Sequence, residues 1–162
     1  MKVMGIDPGI AITGYGVIEQ NSKRNFDVKD YGCIRTSKGD TPLRLKKVYD
    51  DLSELIKLHR LDTIAVEELF MYKNVKTAMS VSQSRGVIIL AGVNQGLEVA
   101  EYTPLQVKQS VVGYGRATKN QVQQMVKTLL NLDDIPRPDD AADALAIAIC
   151  HLNSASLKRL IV

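Results

Sequence analysis

KVMGIDPG, residues 2–9, is a short apolar run that ends in a carboxylate and is cut off by Pro8-Gly9. A run of that length before a Pro-Gly break is a strand, and Asp7 stands at its carboxyl end. TGYGVIEQ (13–20) and VKDYGCIRT (28–36) continue in the same manner on either side of the polar NSKRN (21–25). The chain therefore opens as three consecutive strands in an antiparallel meander. Thr41-Pro42 starts a helix, whose Leu45, Val48, Leu52, Leu55, Ile56 and Leu58 recur at helical spacing and set one apolar stripe against the sheet. DTIAVEE (62–68) is a buried strand ending in acids. A helix rich in Ser, Ala and Val follows from about Val75 to Val93, and EVAEY (98–102) is a brief strand. Thr103 with Gln106 and Thr118 with Gln121 each match an N-cap and its capping box, on either side of the Gly-containing loop VGYGRAT (112–118). The expected order is β-β-β-α-β-α-β-α-α. Residues 1–162 then form a single α/β domain, a mixed sheet with helices outside, and at 45% hydrophobic the chain buries a core without metal or disulfide staples.

RPDDAADALAIAI (137–149) places three aspartates on a helix otherwise almost entirely Ala, Leu and Ile. Acids in a first turn oppose the positive end of the helix dipole, which accounts for Asp139 and Asp140. Asp143 lies a turn further in, between Ala142 and Ala144, where a carboxylate needs a partner. Ligand sites of open α/β sheets gather at strand carboxyl ends, and Asp7 and Glu67 both stand at such ends. Glu68, the next residue, faces away by strand alternation. A final helix docked there adds Asp143 with either Asp140, three residues before it, or Asp139, four before it; both pairs share a helical face, and spacing leaves the choice open. Carboxylates crowded together repel, and the usual remedy is a bound cation. Hard oxygen ligands favour Mg²⁺ or Mn²⁺, and two such ions suit phosphodiester hydrolysis. His59 and His151 lie on helices away from the acids and are left out.

Net charge is only +3, but it is unevenly spread. The segment 69–132 carries Lys73, Lys76, Arg85, Lys108, Arg116, Lys119 and Lys127 against only Glu98 and Glu101. A basic stretch beside a carboxylate cluster suits an enzyme that acts on a polyanion. In VEELFMYKN (66–74), Phe70 lies just beyond the acidic strand and is followed by Lys73 and Lys76; by position it is either a plain core residue, the commoner case, or an aromatic set against unstacked bases while lysines hold phosphates. Cys33 and Cys150 lack any C-x-x-C or Cys/His spacing and read as free thiols of a reducing compartment. Asp7 interrupts the N-terminus before a signal-type apolar region forms, and no run has the length of a membrane span. A soluble cytoplasmic protein with no membrane partner is expected.

Taken in order, GIDPGIAITGYGVI (5–18), GCIRT (32–36), AVEELFMYKN (65–74), VKQSVVGYGRATKNQVQQMV (107–126) and DDAADALAIAI (139–149) closely resemble the RuvC family of bacterial Holliday-junction resolvases. The likeness runs along almost the full chain. G-I-D-x-G also opens actin-like ATPases and sugar kinases, but those need a second duplicated domain, for which this chain is too short. The resemblance implies a ribonuclease H-like fold, a five-stranded mixed sheet flanked by helices. It also implies four metal-binding catalytic acids, Asp7, Glu67, Asp140 and Asp143, which leaves Asp139 to cap the helix. Two Mg²⁺ ions per site are implied, with Mn²⁺ able to substitute. Lys108 and Lys119 match family lysines near the cleavage site, and Phe70 matches an aromatic that handles junction bases. The implied activity is cleavage of four-way junction DNA in recombination and repair, by paired nicks that leave 5′-phosphates. The implied assembly is a homodimer, with the helix from Val75 as the candidate dimer face and a RuvA–RuvB branch-migration complex as partner. Alternatives are a non-catalytic junction-binding protein, which predicts a lost acid where none is lost, and another ribonuclease H-like nuclease.

Overall fold

β1 (Lys2–Asp7) is the middle strand of a five-stranded mixed sheet, with two strands on either side of it. This computed structural model describes residues 1–68 and 75–161, with side chains through residue 156. β2 (Ile12–Gln20) and β3 (Phe26–Arg35) complete the expected antiparallel meander. β4 (Thr63–Glu67) and β5 (Glu98–Tyr102) run parallel to β1 on its other side. The register pairs Ile6 with Val66, so Asp7 and Glu67 leave the sheet side by side, at the carboxyl ends of neighbouring parallel strands.

The parallel strands need crossovers, and α1 (Thr41–His59) and α2 (Val75–Asn94) lie on the connections leading to β4 and β5. Both helices pack on one face of the sheet. α1 buries Val48, Leu52 and Ile56. The expected stripe loses Leu58, which is 72% exposed. Six residues beyond Leu52 a helix has turned by about 600°, which carries Leu58 off the buried stripe. α2 comes close to the sheet because a side chain at Gly92 would strike Ile64, its ideal Cβ lying 2.4 Å from Ile64 Cδ1.

The other face is covered by α5 (Asp139–Ile161), with α3 (Pro104–Val112) and α4 (Lys119–Leu129) packed against it. The chain therefore ends in three helices, one more than the expected order. Gly113, at φ 92°, closes α3 in the left-handed conformation, and Thr118 caps α4 separately. Both predicted capping boxes are present. From Ala141 to Leu152, every residue of α5 except Asp143 is buried, as suits a helix held between a sheet and two other helices. Its approach is set from the sheet side. An ideal Cβ on Gly5 would lie 2.0 Å from the Ala144 carbonyl oxygen, and one on Gly14 would lie 2.1 Å from that of Asp140. Only glycine leaves room for backbone that near. Two buried clusters result, one around Leu145, Ile147 and Ile149 and one around Met4, Leu52 and Ile64. Each fully buried Leu or Ile contributes about 1.5–3 kcal/mol.

Candidate active site

Side chains alternate along a strand, so Val3, Gly5 and Asp7 face α5, as do Ala65 and Glu67 on β4. Asp7 is followed by a turn pinned from two sides. The Gly9 carbonyl accepts the Thr13 hydroxyl at 2.5 Å and the Ser84 hydroxyl at 3.1 Å, and both donors are fully buried. The first turns of α5 bring Asp140 and Asp143 over the same edge, Asp140 lying directly above Gly14, the partner of Asp7 in the β1–β2 ladder.

Three of the four carboxylates are held above their ordinary range. Burial, then the negative charges of Glu67, Asp143 and Asp140, push Asp7 up to about 8. Burial and Asp143 push Glu67 up to about 7, against the lowering influence of Lys108 and Lys119. Burial also raises Asp143, opposed by a hydrogen bond from Lys119. The Lys119 ammonium stands 2.9 Å from Asp143 Oδ2 and 3.6 Å from Asp139 Oδ2. Its own pKa is raised: burial disfavours the charge, but the Asp143 hydrogen bond together with the negative charges of Asp143, Asp139 and Asp140 outweighs it. Glu67, Asp143, Lys108 and Lys119 share the wall of a cleft of about 190 Å³ with Pro104, Val107, Val122 and Ala146. A larger groove of about 740 Å³ between β3 and α1 contains none of the four acids.

Asp139 does not act as the expected cap. It is the first residue of α5, and its carboxylate is engaged by Arg137 and by Lys119. Through Lys119 it ties the start of α4 to the start of α5.

The acids suit a hard divalent cation in chemistry. Oxygen donors from two strand ends and one helix are desolvated and mutually repelling, and one ammonium pairs directly with one of them. As the side chains stand, no three His, Cys, Asp or Glu among the described residues are gathered tightly enough to enclose an ion, and Asp143 is turned to Lys119. The two histidines have other partners: His59 Nε2 meets Asp30 at 3.0 Å, and His151 Nδ1 meets the Tyr102 hydroxyl at 3.0 Å.

The expected DNA-contacting residues scatter more widely. Lys108 and Lys119 border the cleft. Arg116 is exposed on the loop between α3 and α4, and Lys76 is exposed on the first turn of α2. Arg85 is on α2, across the sheet from α5, and its guanidinium pairs with Glu101 of β5. Glu101 follows Ala100 and precedes Tyr102, the register partner of Glu67, so alternation turns it away from the acids. Phe70 and Lys73 lie outside the described residues. Sequence reasoning missed Gly5 and Gly14 as the clearance for α5; their signal was small residues at same-face positions of two paired strands, opposite an Ala-rich helix.

The family model described as crossover junction endodeoxyribonuclease RuvC matches residues 3–151. The crossover junction endodeoxyribonuclease RuvC of Caldanaerobacter subterraneus subsp. tengcongensis is 58% identical over 158 residues, spanning 97% of this chain and 95% of that protein. Its counterpart from Alkaliphilus metalliredigens is 56% identical over 161 residues, spanning 99% and 98%. Among solved structures, T. thermophilus RuvC in complex with a Holliday junction substrate matches with a TM-score of 0.92 at 34% identity, covering 98% of this chain and 96% of that one. The yeast mitochondrial Holliday junction resolvase Ydc2, 16% identical with a TM-score of 0.72, shares the fold.

Proposed function

The chain belongs to the RuvC family of crossover junction endodeoxyribonucleases, and on that premise we propose that it resolves four-way DNA junctions by symmetric paired nicks that leave 5′-phosphates. It is a nuclease of ribonuclease H-like fold from a metal-dependent family. The observation that carries the site assignment is electrostatic: Asp7, Glu67, Asp140 and Asp143 meet at one sheet edge, and the protonation of Asp7 responds to all three of the others. That arrangement supports these four as the catalytic, metal-holding residues.

In this reading Mg²⁺, two ions per site with Mn²⁺ able to substitute, supplies water activation and neutralises the leaving oxygen. Asp7 and Glu67 hold their oxygens on a rigid strand pair, and Asp140 and Asp143 hold theirs on a helix seated against backbone. Lys119, tethered by Asp143 and Asp139, keeps an ammonium at the cleft for the scissile phosphate. Lys108 adds a second on the facing helix. Phe70, Lys73, Lys76, Arg85 and Arg116 belong to the proposed DNA contacts, with Arg85 requiring release from Glu101.

Residues 1–162 act as one nuclease domain, and two copies form a homodimer. α2 supports the dimer: Val75, Met79, Leu90 and Val93 are large apolar residues left exposed along it. A two-fold dimer matches a two-fold junction and presents one site to each opposed strand. A RuvA–RuvB branch-migration complex is the proposed partner and the cytoplasm the proposed compartment. Among the described residues, no helix is long and apolar enough to cross a membrane.

The test is cleavage of a synthetic four-way junction beside linear duplex and RNA–DNA hybrid, with Mg²⁺ and with EDTA. Paired nicks in the junction arm only, with Mg²⁺ only, are expected. Equal binding and cutting of linear duplex would overturn the substrate assignment.

A further inference from the structure

The loop between α3 and α4 carries an aromatic that the site described above does not use. Tyr114 is 46% exposed and sits between two glycines, the first of which is required by its positive φ. Gly113 closes α3 at φ 92°. A Cβ on Gly115 would lie 2.1 Å from Leu105 Cδ1, so the loop folds back onto the first turn of α3. Pro104, the neighbour of Leu105, lines the cleft that holds Glu67 and Asp143. The phenol ring is left exposed on the loop that joins the two helices bordering the cleft.

Cations flank it along the chain. Lys108 precedes it on α3 and Lys119 follows it on α4, both on the cleft wall, and Arg116 is exposed two residues on. An exposed aromatic on a basic loop between two cleft lysines suits a ligand that joins negative charge to flat apolar faces. Nucleic acid has that chemistry where a base is unstacked, and base–aromatic stacking holds such a base whatever its identity.

We propose that Tyr114 stacks on an unpaired nucleobase next to the scissile phosphate and so selects distorted, junction-like DNA over continuous duplex. The proposal rests on the junction-nuclease reading. It adds a base contact to a loop otherwise credited with phosphate contacts.

The experiment uses the full chain in EDTA, which prevents cutting, and a four-way junction with 2-aminopurine placed in turn on each side of the cleavage point. Wild type should quench the fluorescence at one position. Tyr114→Ala and Tyr114→Leu should lose the quench and raise Kd roughly 5- to 100-fold, the span of one stacked base. Tyr114→Phe, which keeps the ring, should behave as wild type. The salt dependence of Tyr114→Ala binding should match wild type, whereas Arg116→Ala should lower the slope by about one. Equal quenching and Kd for wild type and Tyr114→Ala overturns the proposal. So does wild-type behaviour of Tyr114→Leu, which reports an apolar wedge, or a loss in Tyr114→Phe as large as in Tyr114→Ala, which reports a hydroxyl contact. No binding of the junction by wild type would defeat the underlying nuclease reading.

Discussion

The ammonium of Lys119 donates to Asp143 Oδ2 at 2.9 Å, joining the first residue of α4 to the second turn of α5. Both partners are partly exposed, 55% and 32% by side chain, so the pair contributes at most about 1 kcal/mol to folding. On the proposed reading its value is positional, a cation held at the cleft wall for the scissile phosphate. Lys119→Met should therefore melt within a few degrees of wild type, yet lose roughly 10²- to 10³-fold in single-turnover junction cleavage, the scale for removing one transition-state charge contact. Because Lys119 lowers Glu67 and Asp143, the alkaline shift of the pH–rate profile is a second readout. A variant that stayed fully active would remove Lys119 from the mechanism.

Asp7 links stability to pH. Its carboxyl, at about 8 in the fold against about 3.8 when unfolded, keeps a proton that the unfolded chain gives up between those values. Folding is therefore favoured below pH 4, and that advantage is lost as pH rises to about 8. Asp7→Asn removes the loss. In EDTA it should be more stable than wild type by about 1–3 kcal/mol at pH 8.5, or several degrees in melting temperature, with the gap closing towards pH 4. Cleavage should be abolished throughout. A wild-type melting temperature flat across that range in EDTA would contradict the crowding of charge described at the sheet edge.

The same protons compete with metal. Asp7 at about 8 and Glu67 at about 7 must ionise before they can serve as oxygen ligands, so metal binding expels protons. The Mg²⁺ concentration giving half-maximal cleavage should fall at least about tenfold from pH 6.5 to pH 8.5. Saturating Mg²⁺ should raise the melting temperature, and more at the higher pH. Titrating Mg²⁺ at both pH values, with cleavage and melting as readouts, checks this.

How much of this was readable in advance follows from where the controlling forces act. Strand ends, Pro-Gly breaks and capping boxes are local, so Asp7, Glu67, Thr103 and Thr118 could be placed from a few neighbouring residues. The choice between Asp139 and Asp140 was not local. Both share a helical face with Asp143, and what distinguishes Asp139 is its engagement by the adjacent Arg137 and, across two helices, by Lys119. The partner of Arg85 was hidden for the same reason: its charge is visible in the sequence, whereas its pairing with Glu101 across the α2–β5 contact is not. The glycines of β1 and β2 looked like weak strand formers until α5 was seen to rest on them.

Gly14 tests that seating directly. A Cβ there would fall 2.1 Å from the Asp140 carbonyl oxygen and 2.5 Å from its carbon, both backbone atoms that cannot rotate aside. Gly14→Ala must push the start of α5 off the sheet and carry Asp140 with it. A displacement of about 1 Å costs on the order of 10²-fold in rate, so cleavage should fall by that much while the fold, held by the buried Leu145–Leu152 stretch, persists by circular dichroism. Unchanged cleavage would mean that Asp140 need not sit where the fold puts it.

The exposed stripe on α2 bears on how two nicks become symmetric. Met79 and Leu90 are 63% and 51% exposed and lie eleven residues apart, three turns along one side of the helix. A charge at the centre of an apolar interface is strongly unfavourable, whereas on a free helix surface it is tolerated within about 0.5 kcal/mol. Met79→Asp and Leu90→Asp should therefore leave the fold intact and convert a dimer to a monomer in light scattering. The monomer should still nick a junction strand, but on a cruciform plasmid, where a second nick must fall before the first product dissociates, nicked circles should replace linear DNA. If both variants remain dimeric and still yield linear product, α2 is not the dimer face.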